Sequence, residues 1–254
     1  MVRDVPRAGE IRAAAWKRMK EGGLLPLVAG FALVMLLAYL ADNVVNWLCL
    51  SRGWITKISV LDFLEESEFL TRYATELTPE QEKMLGSTMI PLMSPTCRVF
   101  VFIINAIWEN GILAFGCAVL AVSAMRGGAK AFLVLSGFRL PMLLRTASLG
   151  ILRIAVVALG FLLFILPGVL AAYSYRMAFM LLADNPDWSP VRALRESRQL
   201  MHGHRWRLFC LDISFFGWFL LVGVTFGLGG IFVMPYFATA NAAFYEDLLD
   251  RAGR

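Results

Sequence analysis

Charge is scarce in this sequence: 17% of its 254 residues are Asp, Glu, Lys or Arg, and histidine occurs twice. With 59% hydrophobic residues and a mean hydropathy of +0.66, the chain carries more apolar side chain than a soluble domain of ordinary composition hides. The four cysteines, Cys49, Cys97, Cys117 and Cys210, include no pair at metal-ligand spacing and form no disulfide-dense scaffold. His202 and His204 are two apart, a poor spacing for a helical metal site. There is no phosphate-binding glycine loop, no His-Glu-x-x-His and no Gly-x-Ser-x-Gly. No catalytic residue, metal or cofactor is assigned on this basis, and the expectation is a protein that is not an enzyme.

What the sequence has instead is long apolar runs, at about residues 24–49, 99–125, 147–183 and 207–247. A helix crosses the hydrocarbon with roughly 20 apolar residues, so the first two runs suit one crossing each and the last two suit a hairpin each. The expected fold is all-α, a polytopic transmembrane bundle of about six spans with interfacial amphipathic helices. Its parts are a basic cytoplasmic arm (1–23), span 1 (24–49), an extracytoplasmic helical loop (50–98), span 2 (99–125), a cytoplasmic loop (126–147), a hairpin (148–183), a cytoplasmic interfacial helix (184–207) and a second hairpin (208–247). The first run lacks a small-residue cleavage pattern, which reads as a retained span rather than a cleaved signal.

Orientation follows the lysine and arginine bias. Arg3, Arg7, Arg12, Lys17, Arg18 and Lys20 precede the first span, and Arg126, Lys130, Arg139 and Arg145 follow the second without an acid among them. Both segments are expected inside, and the loop carrying Asp62, Glu65, Glu66, Glu68, Glu76, Glu80 and Glu82 outside. Arg192, Arg195, Arg198, Arg205 and Arg207 also belong inside, which forces the run 148–183 to turn back; Pro167 and Gly168 are the natural place. Gly227, Gly229 and Gly230 turn the last run, so both termini are cytoplasmic. Basic charge beside a membrane follows from topology, so a pI near 9.2 is no argument for nucleic acid.

Ser189 and Pro190 are an N-cap and a first helical residue. From Val191 to Met201, Ala193, Leu194, Ser197, Leu200 and Met201 share one side, which suits a helix at the membrane surface with its arginines toward phosphates. Arg192, Arg195, His204, Arg205, Trp206, Arg207 and Asp212 are the candidate interfacial anchors, with Arg207 in reach of Asp212 and Arg153 able to snorkel. Outside, Ile55–Tyr73 and Pro79–Met89 read as amphipathic helices, and Cys49 and Cys97 could meet across the loop between their spans. Glu109 lies near mid-span and needs a partner. Arg176 is the one proposed, in a polar cluster with Asn105, Asn110, Tyr173 and Tyr175. Such a pair serves either a polar pathway or helix registry.

Leu166-Pro167-Gly168, Tyr173, Tyr175, Met177, the run Ala183-Asp184-Asn185-Pro186, Ala193, Leu194 and Ser197 occur in order. So do Met201, Gly203 to Trp206, Leu208, Phe209, Ser214, Phe215, Gly217, Trp218, Gly227, Pro235, Tyr236, Phe244 and Tyr245. Over roughly residues 120–249 this pattern resembles an uncharacterised bacterial integral-membrane family, domain of unknown function 975. The resemblance implies a multi-spanning bacterial membrane protein with no assigned activity, and the expected location is the bacterial cytoplasmic (inner) membrane. Three functions compete: a non-enzymatic protein that binds or organises partners in the cell envelope, a small-solute or peptide transporter, and a lipid-modifying enzyme. The expected partners are membrane lipids and an envelope protein or a second copy of the chain.

Overall fold

The computed structural model describes residues 6–21, 24–59, 78–87 and 89–253. It divides into two compact units, one of residues 1–38 and 105–254, the other of residues 39–104. Among the described residues, five helical stretches are long and apolar enough to cross a membrane: Leu24–Ser51, Cys97–Met125, Leu140–Leu163, Ile165–Asp184 and Arg205–Val224. Their apolar windows are poorly covered by protein; those of the first and last are only 17% buried. Leu25, Trp47, Leu140, Leu162 and Phe226 stand exposed. Contiguous apolar surface on this scale is foreign to a soluble monomer and natural against lipid.

In the larger unit, α1 (Ala8–Glu21) is a packed helix rather than a free basic arm. Ile11, Ala15 and Met19, one turn apart, are buried, while Lys17, Arg18 and Lys20 face out. α2 (Leu24–Ser51) starts in this unit, its Leu27 and Phe31 packed with Leu120, Ala124 and Val134. α3 (Pro79–Ser87) belongs to the smaller unit, and α4 (Pro95–Ile107) leads from there into a π-helical stretch, Trp108–Leu113, and then α5 (Ala114–Met125). The π stretch meets the next long helix, α6 (Leu140–Leu163), where two glycines face each other. A Cβ on Gly150 would sit 2.7 Å from the Gly111 Cα, so neither position tolerates a side chain without the helices separating.

α6 ends at Phe164, whose backbone is extended, and α7 (Ile165–Ser174) begins at once. The reversal therefore lies three residues before Pro167. Proline in the first turn of a helix gives up an N–H that has no intrahelical partner, so Pro167 starts α7 instead of breaking it. Gly168 serves close packing: its Cα would lie 3.0 Å from a Cβ on Gly160, and a side chain of its own would strike the Phe161 ring. After a turn at Tyr175–Met177 comes α8 (Ala178–Asp184). The second arm of the expected hairpin is thus a 20-residue stretch with an internal break, about 30 Å if straight.

Ser189 caps α9 (Pro190–Leu200) as the sequence predicts, its hydroxyl accepting from the Arg192 N–H at 3.3 Å. The apolar face is the predicted one, with Ala193, Leu194, Ser197 and Met201 buried. It is covered by the bundle, however, and not left to lipid: α9 packs on α6 and α8, and Ser197 is fully buried. α10 (Arg205–Ser214) and α11 (Phe216–Val224) make one broken run. The turn after it places Gly227 at φ +91°, a conformation open to glycine, and α12 (Gly230–Ala252) returns. Val233, Thr239, Asn241, Phe244, Tyr245 and Leu248 of α12 are buried, making it the inner helix of this unit.

The smaller unit holds the end of α2, α3, the start of α4 and an antiparallel ribbon, β1 (Ile55–Ser59) with β2 (Met89–Met93). The helix expected from Ile55 thus begins as a strand. Ile-Thr-Lys-Ile-Ser alternates, with two β-branched isoleucines and a threonine, and finds a pairing partner in 89–93. Residues 60–73 of that expected helix lie outside the described residues. Pro79–Ser87 is helical as predicted. Cys49 and Cys97 come together: their sulfurs are 2.8 Å apart and buried among Val45, Trp54, Phe100 and Val101.

Candidate functional site

Two helical runs of the larger unit break at their polar residues. Between α7 and α8 the break falls at Tyr175–Met177, and between α10 and α11 at Phe215. A break frees backbone carbonyls that need donors away from water. Ser197 of α9 donates to the Ser174 carbonyl at 2.9 Å, and Arg12 of α1 donates through Nη1 to the Ser214 carbonyl at 2.7 Å. The Tyr236 hydroxyl reaches the Arg12 carbonyl at 3.4 Å, and the Arg12 guanidinium lies over the Phe215 ring at 5.9 Å.

Arg176, in the first break, and Asp212, just ahead of the second, form a two-pronged pair at 3.3 and 3.4 Å. Arg176 was expected to pair with Glu109. Glu109 lies in the π-helical stretch, next to Asn110, whose amide makes a long 3.4 Å bond to the Asn105 carbonyl. Asp212 is thereby a partner of Arg176 and not an interfacial anchor of Arg207, which turns to Asp247 of α12 at 2.7 Å. The Arg176 guanidinium also lies 5.3 Å from the Phe237 ring centre. Tyr173 packs edge-on against Phe209 at 6.1 Å, and Tyr175 closes α7 as its C-cap. Of the expected cluster, the structure joins Tyr173, Tyr175 and Arg176 at one break and leaves Glu109, Asn105 and Asn110 on another element.

Arg153 of α6 stands apart. Among the described residues no carboxylate lies within ion-pair range of it; its guanidinium rests 5.7 Å from the Phe179 ring centre. A charged arginine in the middle of a membrane helix costs about 2.5–3.5 kcal/mol on insertion scales, so its placement demands compensation. It borders a cavity of about 290 Å³ between α5, α6, α8 and α12, which also takes in Arg176 and Asn241. On its other side it borders a cavity of about 340 Å³ with Asn110, Val157, Phe161 and Ala172. Snorkelling was the expectation for Arg153, which in the structure is half-buried beside both cavities.

A second polar cluster closes the end of the bundle where α5, α8 and α12 meet, and the sequence reading missed it. Arg126 grips Asp184 with both prongs, at 2.7 and 2.9 Å, and Glu246 at 2.9 Å, while the Tyr245 hydroxyl donates to Asp184 at 2.8 Å. The hydrogen bonds to Asp184, and then its charge and that of Glu246, hold the Arg126 guanidinium more firmly protonated than a free arginine despite partial burial. The available signal was an acid at the last position of an apolar run with one arginine-bearing loop in reach. The cluster borders a cavity of about 530 Å³ rimmed by Trp188, Arg192 and Glu196.

The remaining anchors divide. Arg192 stacks over Trp188 at 4.5 Å and Arg195 is exposed; Trp206 is exposed and leans on Phe209 at 5.1 Å. Arg205 is half-buried, and Asp247 holds Arg251 as well as Arg207. His204 caps α10 with Nδ1 3.4 Å from Arg207. Burial, then the charges of Arg207 and Arg251, lower its pKa against the opposing pull of Asp247.

Fold and site define a helical bundle with lipid-compatible outer faces and a polar interior. Residues 130–252, just under half of the chain, match the family model described as "Protein of unknown function (DUF975)". Neither the comparison with curated proteins nor that with solved structures gives a match.

Proposed function

We propose that this chain is a multi-pass protein of the bacterial inner membrane that acts by binding, holding a partner or ligand within the bilayer rather than transforming it. Six crossings with both termini cytoplasmic satisfy the positive-inside bias of Arg126, Lys130, Arg139 and Arg145. α12 supplies the sixth. It is buried by its neighbours, so it does not need the apolarity that lipid contact demands of the other five.

The observation that carries the binding reading is how the interior carboxylates are used. Asp184, Asp212, Glu246 and Asp247 are each engaged by an arginine. A general base or nucleophile needs a group poised at a substrate cavity with its proton affinity tuned to the task. Here each of these acids is tied to an arginine, and Arg153, a binding group with no acid partner among the described residues, borders two cavities. A carrier is the second reading, favoured by the broken helices at Tyr175–Met177 and Phe215, since interrupted spans accompany substrate sites in transporters.

Single cysteines at Phe164 and Arg153, in a chain whose own four cysteines are replaced, separate the readings. A membrane-impermeant maleimide applied from outside is expected to label position 164, at the exposed α6–α7 turn, and to leave position 153 unlabelled. Protection of 164 contradicts the six-span arrangement. Labelling of 153 establishes a water path and replaces the binding reading with the carrier.

A further inference from the structure

We infer that the two cavities sharing Arg153 form one site for an anionic amphiphile, a phospholipid whose headgroup carries a hydrogen-bond donor as well as its phosphate. The inference rests on the reading of this bundle as membrane-embedded and goes beyond it in naming the ligand. Arg153 lines both cavities, so the two volumes share one residue.

On the first side the lining is cationic. Arg153 and Arg176 both border it, and no Asp or Glu does. Asp212 occupies Arg176, whereas the Arg153 fork has no acid among the described residues. A phosphate suits such a fork, because guanidinium N–H groups match its oxygens two at a time. Room for the group comes from Ala118 and Ala121, short side chains on the facing helix.

Asn241 adds a second requirement. Its amide N–H₂ donates to the Phe237 carbonyl at 2.8 Å, which fixes the other amide atom as an acceptor. That Oδ1 is buried, with no donor among the described residues. An unmet acceptor beside an unmet cation is complemented by one chemical group, an anion bearing a hydroxyl or ammonium, such as the phosphoglycerol or phosphoethanolamine head of a lipid.

On the other side the lining is apolar apart from Asn110 and Arg153 itself. Ile154, Val157 and Phe161 of α6 and Ala172 of α7 follow Arg153 along the hairpin. A free glycerol phosphate has nothing to place there, whereas an acyl chain fills it. The order is that of an amphiphile, with its polar end at Arg153 and Arg176 and its chain along Val157 and Phe161.

The test uses the full chain, purified and returned to nanodiscs of phosphatidylglycerol or of phosphatidylcholine, with bound lipid counted by native mass spectrometry after release. Wild type is expected to retain one phosphatidylglycerol and no phosphatidylcholine. Arg153→Gln should lower that retention about tenfold, the loss of one charge-assisted interaction, and Arg153→Lys should keep part of it. Ala158→Phe, which fills the apolar groove and leaves both arginines, should also lose the lipid. Excess glycerol 3-phosphate should not displace it. Equal retention by wild type and Arg153→Gln overturns the site, as does equal retention of phosphatidylcholine. Displacement by glycerol 3-phosphate, or full retention by Ala158→Phe, overturns the amphiphile in favour of a free anion. Arg153 has no acid partner to orphan, so Arg153→Gln should melt no lower than wild type in lipid-free detergent, which separates lost binding from lost folding. Cysteine labelling at Phe164 reports the membrane arrangement independently of any of these outcomes.

Discussion

α2 and α12 are the two extremes of this molecule. α2 is apolar apart from Asp42, Asn43, Asn46 and Ser51 toward its end, and its most apolar window is only 17% buried. α12 carries Thr239, Asn241, Glu246, Asp247 and Asp250, does not qualify as a span on apolarity, and yet buries Phe244 and Tyr245 completely. In water the more apolar helix would be the inner one. Within a membrane the order reverses, because lipid is as good a partner for leucine as another leucine is, while polar groups are cheap only where protein supplies their hydrogen bonds. Hydropathy then reports contact with lipid, and the helix that organises the bundle is the one it ranks last.

Substitutions can break this contrast. The largest effect is expected at the inner helix: Phe244→Ala, at a fully buried ring, should cost about 3 kcal/mol, read as thermal unfolding in detergent. Asp247→Ala leaves Arg207 and Arg251 without their shared carboxylate and should cost about 2 kcal/mol, short of a fully buried pair because these side chains keep some solvent. Tyr245→Phe removes one hydrogen bond to Asp184 and should cost about 1 kcal/mol in the same assay. Leu36→Ala on the exposed face of α2 should stay within about 0.5 kcal/mol. A cost there equal to that of Phe244→Ala would erase the comparison.

His204 gives the contrast a pH dependence. Its pKa in the folded chain lies below the ordinary 6.5, so the unfolded chain takes up the proton first. The stability it contributes is fully present above about pH 6.5 and is lost as the pH falls through the lower, folded value. Melting temperatures at successive pH values below 6.5 should fall more steeply for wild type than for His204→Gln. Parallel curves would mean that His204 titrates as a free histidine.

The long apolar helices, the presence of a break in each of the last two runs and the cap of α9 were legible because each rests on local rules: apolar length, positive charge, and Ser189 before Pro190. Partnerships across breaks were not. Arg176 and Asp212 are brought together by two helix interruptions whose positions no local signal marks; Pro167 and Gly168 drew attention away from Phe164, where the chain turns. Arg12 looked like topological charge in a basic segment, although Ile11, Ala15 and Met19 repeat at helical spacing and could have announced a packed helix. The strand at Ile55 depends on a partner more than thirty residues away. Cys49 and Cys97 could be flagged as end-of-span neighbours, but only three-dimensional packing brings their sulfurs into contact.

The account depends most on α12 crossing the membrane despite its composition. Single cysteines at Leu228, in the turn before α12, and at Gly253, just after it, can be probed in intact cells with an impermeant maleimide, and again after permeabilisation. Labelling at 228 from outside, with 253 reacting only once the membrane is opened, is the predicted result. If both positions react on the same side of the membrane, α12 does not cross, and the buried polar helix is no sixth span.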